Sequence, residues 1–373
     1  MVVLQQLRDQ IDQLDQQLLT LLAQRQQLVA DVGKVKHQYG LPIYVPQRES
    51  EMLAARRAEA EKYGISPDLI EDILRRIMRE SYLNENKFGF KTVNTTIDKI
   101  VIVGGKGKLG SLFATYLSRS GYSVAILDKD DWNQAEMILA GANLVIVSVP
   151  INLTLETIER LQPYLTQEMI LADLTSVKAA PVEKMLSVHQ GAVVGLHPMF
   201  GPDIGSMAKQ VIVHCHGRYQ ERYQWLLEQM AIWGAKIFDI TAKEHDQSMT
   251  YIQALRHFAT FVSGLHLSKQ PVELHQLLAL SSPIYRLELA MIGRLFAQDA
   301  ELYADIILDK SENLTVIKSL LESYQTAINY FEQNDKTGFI QAFEQVHQWF
   351  GDYSEQFLQE SRQLLQQAYD QRR

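Results

Sequence analysis

The chain has 373 residues, with 36 Lys and Arg against 44 Asp and Glu, a formal net charge of -8. At roughly 150 residues per domain, that length predicts two or three domains, each able to bury its own core. A hydrophobic content of 46% excludes wholesale disorder, and the acidic balance argues against a nucleic-acid partner, whose phosphates require clustered Lys and Arg.

Residues 1–90 read as all helix. Leu4, Leu7, Ile11, Leu14, Leu18 and Leu21 recur at steps of three and four, and Leu28, Val32 and Val35 resume the stripe. This heptad-like seam predicts one long helix that packs on other helices or on a second subunit. Gly40-Leu41-Pro42 ends it. Pro46 opens a second helix to about Tyr63, because the first turn needs no N–H from it. Ser66-Pro67-Asp68 caps a third, which carries Leu69, Ile70, Ile73, Leu74, Ile77 and Met78.

Residues 86–98 lack periodicity and read as a linker. The period then changes to short apolar runs: Lys99–Val103, Ser123–Leu127, Leu144–Val149, Met169–Leu174, Ala192–Leu196, Val211–His214 and Lys236–Ile240. Strands alternating with helical stretches predict a mostly parallel sheet with helices on both faces. From about Glu244 to Arg373 the pattern is helical again. The expected division is 1–90 all-α, 98–243 Rossmann-like α/β, and 244–373 all-α. The one cysteine, Cys215, excludes an intrachain disulfide and a multi-Cys metal site. No apolar run approaches the roughly 18 residues of a membrane span, and the N-terminus has no signal-peptide pattern. A soluble cytoplasmic protein without a bound metal is expected.

Between the first predicted strand and the helix after it lies Gly104-Gly105-Lys106-Gly107-Lys108-Leu109-Gly110, in which Gly105, Gly107 and Gly110 match G-x-G-x-x-G. Such glycines permit a tight turn and close approach of backbone to a pyrophosphate, which the helix N-terminus then receives. Asp128 ends the second strand and suits a ribose 2′-hydroxyl while repelling a 2′-phosphate, so NAD is expected over NADP. For Lys106 and Lys108, phosphate and solvent both stay open. Ligands in such sheets gather at the carboxyl ends of strands. Three segments end there: Val147–Pro150, with Ser148 assigned to the cofactor; Asp173–Lys178, with Ser176; and Gly195–Pro202, with His197. Oxidation of an alcohol needs a base for the hydroxyl proton, and His197 is the candidate, with His189, His245 and His257 behind it.

Two apolar stripes carry an arginine in an apolar slot. Arg25 falls between Leu21 and Leu28, and Arg294 follows Leu280, Ile284, Leu287 and Met291. A buried guanidinium needs a paired charge, and a salt bridge or a carboxylate-binding pocket would each supply one. Lys36 lies three helical turns beyond Arg25 on nearly the same face.

Together these segments resemble the bifunctional chorismate mutase/prephenate dehydrogenases, or T-proteins, of bacterial tyrosine biosynthesis, over essentially the whole chain. The likeness rests on Leu7–Asp12, Val32–Lys36, Arg48-Glu49, the Gly105–Gly110 turn, Gly195–Pro202, and Ser281–Arg286 through Arg294. It implies a mutase of intertwined helices in a homodimer, with Arg8, Arg25, Lys36 and Arg48 binding chorismate's carboxylates and ether oxygen. Glu49 is then the hydroxyl-binding residue and Ser81 a carboxylate contact. Glu85 stands where related mutases carry a glutamine, and it donates a hydrogen bond only when protonated. The second half is expected to oxidise prephenate with NAD. His197 is its base, Arg294 its carboxylate partner, and Ser176 and Arg286 supporting contacts. The likeness further implies tyrosine as inhibitor, with His245 and His257 as contacts. Two rivals stand: a dehydrogenase for arogenate or another hydroxy acid, and a non-catalytic NAD-sensing dimer. A bare dimer seam has no use for Arg25 and Lys36.

Overall fold

The computed structural model describes residues 2–308 and 310–370. Contacts gather the chain into two compact units, Met1–His245 and Asp246–Arg373.

In the first unit, three helices lead: α1 (Val2–Tyr39), α2 (Pro46–Lys62) and α3 (Pro67–Glu85). Gly40, at φ 68°, stops α1 in a backbone conformation that costs a side chain energy. Pro46 sits at the start of α2, and the Ser66 hydroxyl caps α3 by accepting from Leu69 N–H. The α1 stripe stays exposed from Leu4 through Val35, and Gly33 is the buried residue of the helix.

Seven strands follow, alternating with helices: β1 (Lys99–Val103), α4 (Lys108–Arg119), β2 (Ser123–Leu127), α5 (Ala135–Leu139), β3 (Leu144–Val147), α6 (Ile151–Leu161), β4 (Ile170–Asp173), α7 (Ala179–Val188), β5 (Ala192–Pro198), β6 (Val211–Arg218), α8 (Gln220–Ile232) and β7 (Lys236–Asp239). They form one sheet in the order β2-β1-β3-β4-β5-β6-β7. Every pairing is parallel except β5 with β6, whose connection returns without a crossover helix. Alternation along β1 sends Ile100 and Ile102 into one core and Val101 and Val103 into the other. Phe113, Tyr223 and Trp233 fill the first, and Leu139, Ile158 and Met185 the second.

The N-terminal segment joins the first core through Ile43 and Phe90. Ile43 N–H donates to Ile232 C=O at 3.1 Å, and Phe90 N–H to Arg119 C=O at 3.0 Å. The helices and the sheet therefore share one packed interior.

Helix α9 (Ala242–Met249) spans the unit boundary. The second unit is otherwise a π-helical turn at Thr250–Leu255 followed by α10 (Arg256–Leu267), α11 (Leu274–Leu280), α12 (Pro283–Phe296), α13 (Ala300–Leu308), α14 (Ser311–Glu332), α15 (Lys336–Phe350) and α16 (Tyr353–Asp370). One expectation fails here. Leu280 does not share a stripe with Ile284, Leu287 and Met291, because α11 ends at it and Ser282 caps a new helix. All four residues are exposed, as is Arg294, so the arginine does not sit on a face that this chain buries.

Candidate active sites

Helix α1 lays Arg25 and Lys36 against α3. Arg25 donates to the Ser81 hydroxyl at 2.7 Å, and Lys36 Nζ lies 2.7 Å from both the Glu85 carboxylate and the Ile43 carbonyl. Ser81 and Glu85 are four residues apart on α3, hence neighbours on one face, and both are buried. Burial raises the Glu85 pKa, and the neighbouring Lys36 and Arg25 offset this only in part.

Glu49, on α2, is buried in the same unit. It accepts from Tyr82 OH at 2.6 Å, from Arg75 at 3.2 Å and from Lys209 Nζ. Burial pushes its pKa up, but the Lys209 and Tyr82 hydrogen bonds outweigh that and leave it lowered. The Tyr82 hydroxyl, half-buried and next to Glu49, is held well above its ordinary range. Arg8 and Arg48 are exposed on α1 and α2. Arg75, Tyr82 and Lys209 were not legible as site residues in the sequence.

The second cluster lies along the carboxyl edge of the sheet. The chain runs from β1 through α4 to β2 on one side and then returns to β3 on the other, leaving a crevice beyond β1 and β3. The glycine turn sits in it. Gly104, at φ 81°, would drive a Cβ into the Ser148 carbonyl, and a Cβ on Gly110 would meet Gly104 O at 2.7 Å. Gly107 differs. It caps α4 at φ -67°, and only Gly104 O, at 3.2 Å, approaches a Cβ built on it. Packing enforces its glycine less than at Gly104 or Gly110, and the space beside it is a cradle that a side chain would fill. That is the opening a pyrophosphate needs at a helix N-terminus. Asp128 reaches over the same turn, accepting from Lys106 N–H at 3.1 Å and Lys129 N–H at 2.9 Å, while the Lys106 ammonium pairs with Asp131. The turn, Asp128 and half-buried Ser148 thus fit a dinucleotide.

His197 is the penultimate residue of β5 rather than the first beyond it, and is 4% exposed. Its Nδ1 lies 2.8 Å from Nε2 of His245, with the rings edge to face. Thr241 and Glu244 form a reciprocal cap at the start of α9, which fixes His245 one residue later. Under β5 lies a group the sequence left unassigned. Lys178 is fully buried, paired with fully buried Asp173 and donating to Leu196 C=O at 2.9 Å. Ser176 stands half-buried between them in the chain. The signal was present in Asp173–Lys178, but nothing local says that the lysine turns inward. His189 is elsewhere: it precedes β5 at the opposite edge, bonded to Met169 C=O at 2.9 Å.

In the second unit, His257 is buried with its ring 4.8 Å from that of Tyr303. Burial, aided by Arg256, drives its pKa down to about 4. Arg286 and Arg294 are exposed on α12.

Comparison with known proteins decides the family. The family model described as Chorismate mutase type II matches residues 7–86. Prephenate dehydrogenase, nucleotide-binding domain, matches 119–213, and prephenate dehydrogenase, dimerization domain, matches 241–345. The T-protein of Haemophilus influenzae is 71% identical over 370 residues, covering 99% of this chain and 98% of that relative. The T-protein of Enterobacter agglomerans is 60% identical over 366 residues, covering 98% of each. The chain belongs to the T-protein family. It is a bifunctional enzyme, a chorismate mutase and an NAD-dependent prephenate dehydrogenase of tyrosine biosynthesis. Among solved structures, a prephenate dehydrogenase from A. aeolicus in complex with hydroxyphenyl propionate and NAD+ shares the fold at TM-score 0.55 and 18% identity, covering 70% of this chain and 98% of its own. Synechocystis arogenate dehydrogenase does so at TM-score 0.53 and 20% identity, covering 69% and 99%.

Proposed function

We propose that chorismate rearranges between α1, α2 and α3, held by Arg25, Lys36, Arg48 and Ser81, with Glu49 accepting from its hydroxyl. The observation that carries this reading is the meeting of Lys36 and Glu85 at 2.7 Å in a buried position. Lys36, and Glu85 when it is protonated, can each donate there to one ether oxygen. The rearrangement is pericyclic and needs neither nucleophile nor proton transfer. Catalysis is then confinement in a compact conformer plus stabilisation of charge developing on that oxygen. The exposed α1 seam supports a second copy of the chain as its cover, from which Arg8 completes the site.

In the dehydrogenase reaction, the prephenate ring hydroxyl donates to His197. When His197 Nδ1–H donates to His245 Nε2, its own Nε2 carries the lone pair and takes the hydroxyl proton. Gly105, Gly107 and Gly110 hold the NAD pyrophosphate, Asp128 the ribose and Ser148 the adjoining wall. NAD, when bound, supplies the hydride acceptor. Loss of CO2 aromatises the ring and drives the step. On α12, Arg294 is the candidate partner of a substrate carboxylate with Arg286 as a supporting contact, and on the sheet side Ser176 is a candidate supporting contact. Prephenate is preferred to arogenate because the attached mutase makes it. Tyrosine, which resembles the product, inhibits the dehydrogenase, with His257 as its candidate contact in the second unit. The buried Cys215 is compatible with the reducing cytoplasm. The test is to supply chorismate and NAD to the purified protein. NADH and 4-hydroxyphenylpyruvate should form together, and prephenate accumulation without NADH would refute the coupled reading.

A further inference from the structure

The β5–β6 connection begins at Met199, directly after the His197-Pro198 end of β5, and runs to Gln210. Its middle packs on the mutase helices. Asn86, just past α3, donates to Gly205 C=O at 3.4 Å, and a Cβ on Gly205 would meet the Leu83 side chain at 2.6 Å. The connection then tightens into a turn closed by Gln210 N–H donating to Met207 C=O at 3.0 Å. At its third position stands Lys209, with φ 69°. Glycine is the usual residue for this left-handed conformation, and lysine is a costly choice. Lys209 N–H is tied to Gly234 C=O at 3.1 Å, its Nζ reaches Glu49, and it passes 5.2 Å from the Tyr44 ring centroid.

We propose that Lys209, carried by the dehydrogenase part of the chain, is a positioning residue for the mutase: it fixes the Glu49 carboxylate for the chorismate hydroxyl. This rests on the reading of Glu49 as the hydroxyl-binding group. An ionised carboxylate offers about four acceptor positions. Arg75 and Lys209 occupy Oε1, and Tyr82 occupies one position on Oε2, which leaves one for a substrate O–H. Arg75 cannot fix the group alone. It is 46% exposed, sits at 3.2 Å from Glu49, and makes its shorter contact, 2.6 Å, with Glu71. Lys209 supplies the closer cation, from a backbone tied to Gly234 in the turn before β7. The mutase site is thereby completed by a segment that starts at the dehydrogenase base.

Three substitutions in the full chain test this. Lys209→Gly suits the left-handed backbone and removes only the side chain. It should keep or raise the melting temperature while raising the mutase KM for chorismate about tenfold, the scale of one lost charged hydrogen bond. The mutase kcat should change little, and dehydrogenation of supplied prephenate should stay at wild type. Lys209→Arg, which keeps a cation in reach, should restore the chorismate KM. Glu49→Gln calibrates the assay by weakening chorismate binding. Wild-type mutase kinetics in Lys209→Gly alongside an impaired Glu49→Gln would overturn the role of Lys209 alone. Wild-type kinetics in Glu49→Gln would remove the Glu49 assignment and the inference with it. Equal losses in both reactions of Lys209→Gly would mark a folding role and overturn the proposal.

Discussion

Replacing Glu85 with glutamine turns the mutase assignment into a pH experiment. Glu85 is 6% exposed, and its carboxylate lies 2.7 Å from Lys36 Nζ. Burial raises its pKa against the partial offset of Lys36 and Arg25. A glutamate donates to an ether oxygen only in its protonated form. The donor is therefore present below the raised pKa and is lost as pH climbs through it. Each pH unit above that pKa thins the protonated form about tenfold. Removing one donor aimed at developing negative charge costs about 10²–10³ in rate. The alkaline limb of mutase kcat should thus fall about tenfold per pH unit and level off after about two or three units. Glu85→Gln donates N–H at every pH, so its limb should be flat, and Lys36 keeps its bond to the Ile43 carbonyl at 2.7 Å. The same shift has a stability consequence. The folded chain retains the Glu85 proton where the unfolded chain has lost it, so stability declines as pH rises through the raised pKa, and the glutamine variant lacks that slope. Chorismate disappearance across about pH 5–9 gives the rates, with prephenate dehydrogenation of the same samples as control. Parallel alkaline limbs in the two proteins would refute Glu85 as the donor.

Arg25→Ala should abolish chorismate consumption and spare oxidation of supplied prephenate, whereas His197→Asn should do the reverse; steady-state rates of both reactions for each variant decide it. Gly110→Ala places a methyl 2.7 Å from Gly104 O and 2.9 Å from Gly105 Cα, so NAD affinity measured by fluorescence titration should drop sharply while mutase turnover persists. Lys178→Met leaves Asp173 buried without its cation, a loss of about 3–5 kcal/mol, and thermal melting should fall by several degrees; an unchanged melt would show that the ion pair is not structural.

The elements of this chain are local in origin, and the sequence displays them. The three- and four-residue steps from Leu4 to Val35 specify α1, Gly40 stops it, and Ser66-Pro67 starts α3. The seven apolar runs became seven strands, and the glycine turn follows β1, with Gly107 capping α4 and Gly110 in its first turn. His197 was visible because strand ends are where an α/β sheet presents chemistry. The family resemblance supplied Glu49, Ser81 and Glu85, which no periodicity marks.

What tertiary structure decided is which distant residues meet. His245 lies 48 residues from His197 and touches its ring, and Lys209 lies 160 residues from Glu49 and grips its carboxylate. Lys178 turns into the core because fully buried Asp173 and the Leu196 carbonyl await it there. The Leu280–Arg294 stripe looked continuous until Ser282 proved to cap a separate helix. Helices and strands follow from spacing a few residues long, which the order of residues records directly. Charge pairing across the fold has no period. It follows from the free-energy cost of burying an ion alone, and only the folded chain shows where that cost is met.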